Sequence, residues 1–306
     1  MPGAAIGGSV SNGPRHHWAR RAVESVFLFV TNSYFAAIPA ASFYQGPLKG
    51  VCVPALHCYA CPLAWGSCPV GALQHFVIVR QFPLYVLGLI GLVGVFVGRF
   101  ACGWFCPFGW FQEFVHRLRL PKFSAPNWVR HLKFVWLVAV VIGVAWWTME
   151  PWFCKLCPAG TLGAGLPWLA WAARGSDYAE GMNFLQWLFP FKVALLAGLV
   201  VLMGMMRRPF CRFVCPLGAM YGLTNKVSLM RLRVNAETCT ECGACAKTCP
   251  MDLTPHKDVG SVDCIRCLAC TGCGSITVGT VFGSPARGAE GVSCGRAGAL
   301  PSGDRA

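Results

Sequence analysis

Residues Cys239 to Pro250 read CTECGACAKTCP. CxxCxxCxxxCP is the spacing with which a short loop presents thiolates to a [4Fe-4S] cluster. A second run, CIRCLACTGC, starts at Cys264, so eight cysteines lie between Cys239 and Cys273. In two-cluster loops of this kind the fourth cysteine of each run crosses to the other cluster. That rule assigns Cys239, Cys242, Cys245 and Cys273 to one cluster and Cys264, Cys267, Cys270 and Cys249 to the other. Cys270 and Cys273 are one residue closer than the motif asks, and Gly274 stands where proline is usual, so Cys273 is the ligand that spacing supports least. A zinc ribbon of paired CxxC elements would need four ligands per ion and leave the third cysteine of each run idle.

Upstream of these runs the chain is strongly apolar. It is 55% hydrophobic and only 12% charged, with mean hydropathy +0.52 over 306 residues, more than a soluble core of this size needs. Four stretches approach the roughly twenty apolar residues that span a bilayer core: Glu24 to Tyr44, Pro83 to Phe100, Lys133 to Pro151 and Trp187 to Met206. A fifth, Leu162 to Ala173, is short, contains Pro167 and reads as interfacial or re-entrant. A signal peptide is the competing reading of the first stretch, but its apolar run is longer than a typical signal core. Basic residues concentrate before the first stretch, between the second and third, and after the fourth. By the positive-inside rule these segments, both termini and the cysteine runs face the cytoplasm. The +14 formal charge then reflects topology and anionic lipid, and no motif for nucleic acid accompanies it. The expected fold is an all-α polytopic membrane domain of about four transmembrane helices, followed by a C-terminal α+β ferredoxin-like module with two [4Fe-4S] clusters. Residues 1–23 form a cytoplasmic segment, 24–233 the membrane domain, 234–278 the module and 279–306 a disordered tail.

The membrane domain repeats itself. GRFACGWFCPFGWFQEFVHRL from Gly98 lines up with RRPFCRFVCPLGAMYGLTNKV from Arg207, each placing CxxxCPxG after an apolar stretch. Cys102, Cys106, Cys211 and Cys215 thus supply four thiolates at one depth, as one [4Fe-4S] cluster requires. On the opposite face stand CxxCP pairs, Cys58 with Cys61 and Cys154 with Cys157, and the first loop adds Cys52 and Cys68. Either Cys58, Cys61, Cys154 and Cys157 form a symmetric site, or Cys52, Cys58, Cys61 and Cys68 form a local one. An inner and an outer cluster on opposite faces would lie about 30 Å apart, too far for one comfortable electron hop.

Together these residues resemble the membrane-bound polyferredoxins, typified by the ferredoxin-like quinol-oxidising subunit of periplasmic nitrate reductase and by the membrane domain of the nitrous-oxide-reductase maturation flavoprotein. TNSYF at Thr31, YQGPLKG at Tyr44, CYACP at Cys58, GSCPVGALQ at Gly66, PWFCKLCPAGTL at Pro151 and RPFCRFVCPLGAMYGL at Arg208 are similar to a branch described only as 4Fe-4S binding proteins. The resemblance runs from Arg20 to Val278. It implies a carrier of electrons between a quinol pool or cytoplasmic donor and a redox partner protein, with one or two clusters beyond the first two and a quinone as a further ligand.

No P-loop, dinucleotide fingerprint or nucleophile motif occurs, so the chain reads as an electron carrier or redox-complex subunit rather than a stand-alone enzyme. A second class of function stays open: a thiol-disulfide relay or metal-centre maturation factor working through the CxxCP and CxxxCP pairs.

Overall fold

The computed structural model describes residues 14–40, 42–118, 120–123, 125–172, 188–273 and 275–282. The first helix, α1 (Pro14–Thr31), starts before the first expected span and ends inside it. Thr31 Oγ1 donates to the Phe27 carbonyl at 2.8 Å and Asn32 Nδ2 to the Leu28 carbonyl at 2.9 Å. These short polar side chains consume the last helical carbonyls and stop the helix. The chain then folds through an irregular cysteine-bearing loop before α2 (Pro69–Ile78) and α3 (Leu84–Val97). At 1.5 Å per residue, the 14 residues of α3 span about 21 Å, short of a bilayer core. Gly98, at φ 60°, ends it in a conformation that a side chain would resist.

Two helices are long and apolar enough to cross a membrane: α6 (Trp128–Thr148) and α9 (Leu188–Met205). The four expected spans thus become these two, the shorter α3 and the interrupted α1. Between α6 and α9 lie α7 (Trp152–Leu156) and α8, a helical run over 158–172 that covers most of the expected interfacial stretch.

The internal repeat is explicit in three dimensions. After α3 come α4 (Phe100–Trp104) and α5 (Pro107–Val115); after α9 come α10 (Pro209–Phe213) and α11 (Pro216–Thr224). Each copy is therefore an apolar helix, a five-residue helix and a nine-residue helix.

The module is closed by two antiparallel strands, β1 (Met230–Val234) and β2 (Ile276–Thr280), paired with Leu232 opposite Val278. β1 begins four residues before the expected boundary at 234. The tail expected over 279–306 lies beyond the described residues from 283 onward, as does Cys294.

A buried charge cluster fastens the module to α6, to α10 and to the residue that precedes α4. Asp263 binds Lys133 Nζ of α6, with Arg99 Nη1 at 3.6 Å and Arg130 Nη1 at 4.0 Å, and Asp252 pairs with Arg212 at 2.5 Å. Lys133 and Arg99 are both wholly buried, so removing their shared carboxylate leaves uncompensated charge, a loss of about 3–5 kcal/mol. Asp263→Asn is expected to lower the melting temperature in detergent and to open the 235–275 segment to limited proteolysis, which mass mapping of the fragments would reveal.

Candidate iron-sulfur centres

The two CxxxCP motifs share one fold and differ at the residue before the short helix, where Arg208 has φ 46° and Arg99 φ −74°. Cys102 and Cys211 are the third residues of α4 and α10, and Cys106 and Cys215 are the N-cap residues of α5 and α11, each with proline at the first helical position. Proline fits there because that position needs no N–H donor. The N–H groups of the following turn then point back at the cap: Gly218 N–H donates to Cys215 Sγ at 3.4 Å, and Gly109 N–H donates to the Cys106 carbonyl at 3.1 Å. Both glycines are required for packing. A Cβ at Gly109 would sit 2.9 Å from Arg208 Nη1, and one at Gly218 2.7 Å from Arg99 Nη2.

Those arginines occupy matching places in the two repeats and cross between them. Arg99 Nη2 donates to the Cys211 carbonyl and Arg208 Nη1 to the Cys102 carbonyl, both at 3.2 Å. All four thiols are buried and lie within each other's electrostatic reach. Gln112 Nε2 donates to Cys211 Sγ at 3.0 Å. Tyr221 stands at the corresponding position of the second repeat, fully buried, and its hydroxyl has no partner among the described residues.

The outer thiols group in neither of the two expected sets. A cavity of about 310 Å³ is walled by Cys58, Cys68, Cys154 and Cys157, with Lys155 and Lys192 beside them. A Cβ on Gly71 would lie 3.5 Å from Cys154 Sγ, and one on Gly160 3.5 Å from Cys58 Sγ. Cys68, not Cys61, is the counterpart of Cys157: both are N-caps followed by proline and, two residues later, glycine. The shared signal is CPxG, present four times at Cys68, Cys106, Cys157 and Cys215, and the CxxCP pattern obscured it. Cys61 lacks that glycine and turns to Asn32 Oδ1 at 3.4 Å, while Cys52 Sγ lies 3.3 Å from Ser67 Oγ. Burial pushes the Cys58 thiol up to about 11 and the Cys157 thiol up to about 12, the reverse of a reactive thiol pair.

Inner and outer sets are neighbours, not sites about 30 Å apart. Leu56 and Cys58 of the outer loop wall one cavity together with Pro107, the residue after Cys106. The separation expected from sequence fails because α1 stops short and α2 carries the chain onward only after the cysteine loop has turned inward.

In the module, Cys249, Cys264, Cys267 and Cys270 line one small cavity, the set expected from the crossing rule. Both runs share a backbone signature: Glu241 and Gly243 have φ of 50° and 72°, and Arg266 and Leu268, at the same offsets, have 48° and 60°. Alternating right- and left-handed residues turn successive N–H groups inward, a concavity that suits an anion. Of the first set, Cys245 Sγ lies 3.3 Å from His256 Nδ1, and the side chain of Cys273 falls outside the described residues. The second run packs on the inner thiols. Gly103, beside Cys102, abuts the Ile265 carbonyl, Asn225 Nδ2 donates to the Cys264 carbonyl at 2.8 Å, and Trp104 Nε1 to the Arg266 carbonyl at 3.2 Å.

These sets fit cubane clusters better than single ions. Each set is made of cysteine thiols alone, and in a cubane each of four thiolates binds its own iron. Buried donors without partners ring the sets: the Tyr221 hydroxyl at the inner one, and His57 Nε2 and Gln74 Nε2 near the outer one. The sulfides and thiolates of a cluster would accept such hydrogen bonds.

Glu113 of α5 anchors the α1 side of the inner site through Arg20, Arg21 at 2.7 Å and Arg208 at 2.6 Å. Burial alone would raise its carboxyl, but Arg208, Arg20 and Arg21 overcome burial and hold it at about 2. Its stabilisation is present above its ordinary 4.5 and is lost as pH falls toward about 2. Glu113→Gln should lower the melting temperature at neutral pH and flatten its decline across that acid window, measured by thermal scans against pH.

A 4Fe-4S binding domain family matches the chain twice, at residues 79–126 and 188–235, covering the helical repeats, and a second 4Fe-4S binding domain matches 232–252. The methylamine utilization ferredoxin-type protein MauN of Methylorubrum extorquens is 31% identical over 212 residues, 65% of this chain and 63% of that protein. YccM of Escherichia coli K12, provisionally called an electron transport protein, is 27% identical over 217 residues, 65% of this chain and 56% of that protein. The regulatory protein NosR of Pseudomonas aeruginosa is 28% identical over 181 residues, 55% of this chain but 22% of its own length. No solved structure matches. The chain therefore carries 4Fe-4S binding domains and is related to ferredoxin-type electron-transport proteins.

Proposed function

We propose that this chain is a multi-pass protein of the cytoplasmic membrane that carries electrons between a quinol pool or cytoplasmic donor and a redox partner protein. The observation that carries this reading is the contact between successive cysteine sets: Leu56 and Cys58 share a cavity wall with Pro107, the residue after Cys106, and Gly103 joins the inner set to the second module run. A [4Fe-4S] cluster bound in each set would supply reversible one-electron transfer. Cys58, Cys68, Cys154 and Cys157 would hold one; Cys102, Cys106, Cys211 and Cys215 a second; Cys249, Cys264, Cys267 and Cys270 a third; and Cys239, Cys242, Cys245 and Cys273 a fourth.

The chain's own residues do the rest. Arg99 and Arg208 fix the inner thiols and offset their negative charge, and Lys155 and Lys192 do so at the outer set. A mostly apolar cavity of about 230 Å³, lined by Asn32, His57, Trp110 and Phe111, shares the His57–Cys58 wall with the outer set and would seat a quinol ring. The module faces the cytoplasm in this reading, since Arg99, Arg130, Lys133, Arg207 and Arg212 gather where it docks. Thiol-disulfide exchange is the weaker alternative, because Cys68, Cys102, Cys106, Cys157, Cys211 and Cys215 are all buried from a partner thiol.

Iron, acid-labile sulfide and zinc per chain, determined on protein purified anaerobically in detergent, test the proposal. About sixteen irons are expected, falling to about twelve in Cys68→Ser and unchanged in Cys61→Ser. About eight irons with no response to Cys68→Ser would confine clusters to the module, and stoichiometric zinc without iron would overturn the reading.

A further inference from the structure

A cavity of about 320 Å³ opens where α1, α5 and the start of α10 meet the module, walled by Arg20, Arg21, Arg117, Arg207 and Arg208 around Glu113. Thr248 and Pro250 close its far side. Five guanidinium groups here face two carboxylates: Glu113 pairs with Arg20, Arg21 and Arg208, both oxygens of the adjacent Glu24 stay without a hydrogen bond among the described residues, and the cleft keeps an excess of positive charge. Arg20 Nε comes no nearer than 3.7 Å to Glu24 and Arg21 Nη1 no nearer than 3.6 Å, while Arg21 Nε has no hydrogen-bond partner among the described residues. Arg20 is only 5% exposed, so its charge is held away from water with a donor unspent. Buried donors in this state normally have a ligand or water.

We infer that this cleft binds a phosphate-bearing anion. The guanidinium fork matches phosphate oxygens in pairs, and phosphate oxygens point tetrahedrally, so that even the two free oxygens of a phosphodiester accept from arginines on different walls, where the two oxygens of a carboxylate share one plane. Phe114 and Leu118, 59% and 56% exposed, flank Arg117 on the same stretch and suit the acyl chains of a phospholipid whose headgroup enters the cleft. A free phosphate group meets the same arginines without that rim. The site lies beside the proposed electron path and does not depend on it.

The full-length protein, stripped of lipid in an uncharged detergent, is titrated calorimetrically with dihexanoyl phosphatidylglycerol and, separately, with inorganic phosphate. Binding that weakens about tenfold or more in both Arg21→Gln and Arg117→Gln is expected, the loss of one charge-assisted contact. Phosphatidylglycerol alone binding identifies a lipid headgroup; inorganic phosphate binding with the same variant losses identifies a free phosphate. Because Arg21 also contacts Glu113, phenylglyoxal modification of the unaltered protein is mapped in parallel, with either ligand expected to protect Arg21 and Arg117. No binding of either ligand, affinities unchanged in both variants, or no protection overturns the assignment.

Discussion

Two wholly buried arginines that cross between the repeats hold this structure together. Arg99 and Arg208 each donate to the backbone carbonyl of the other repeat's first CxxxCP cysteine, and each lies against the other repeat's CPxG glycine. A buried guanidinium is tolerated only where its donors are met and its charge is opposed. Their charges are opposed, Arg99 by Asp263 of the module and Arg208 by Glu113 of α5, and most of their donors reach carbonyl or carboxylate oxygens. The same pair therefore sets the distance between halves, the placing of the inner thiols, and the docking of the module on one side and α1 on the other.

From this core the remaining geometry follows by short links. Asn225 accepts the Arg99 backbone N–H and donates to carbonyls of the second module run, so the end of α11 is tied to the loop that bears Cys264. Arg266 returns the contact, donating to the carbonyls of Val97 and Asn225. Such side-chain-to-backbone bonds fix an irregular loop where no regular sheet or helix could. The outer loop is held likewise, with Trp65 and Trp168 donating to the Val30 and Ala60 carbonyls.

Much of this was legible in the chain. The CxxCxxC runs, the doubled CxxxCP motif and the third and fourth apolar stretches each carry a local spacing that survives folding, and the structure keeps them. What spacing did not carry was depth. Asn32 and Thr31 end α1 by bonding its last carbonyls, so the interruption that Asn32 makes in the first apolar stretch becomes a helix end. Ending there brings the cysteine loop inward, and with it Leu56 to the cavity wall it shares with Pro107. The pairing of Cys68 with Cys157 was missed because the eye follows cysteine-to-cysteine intervals, whereas the conformation is set by what comes after: proline to start a helix and glycine to let the facing group approach. Arg99 and Arg208 were counted as topology signals, and their true partners, two carbonyls in the opposite repeat, have no signature in either segment alone.

The division of thiols between halves also bears on how the protein is made. The inner set draws Cys102 and Cys106 from early in the chain and Cys211 and Cys215 from late, and the outer set pairs Cys58 and Cys68 with Cys154 and Cys157. Neither set exists until the second repeat has emerged from the ribosome and settled against the first. The Cys249, Cys264, Cys267 and Cys270 set is drawn from one short segment, and its loop geometry is local. Assembly thus has an order written into the chain: the two buried thiol sets wait for the halves to join, whereas the Cys249, Cys264, Cys267 and Cys270 set needs only its own segment.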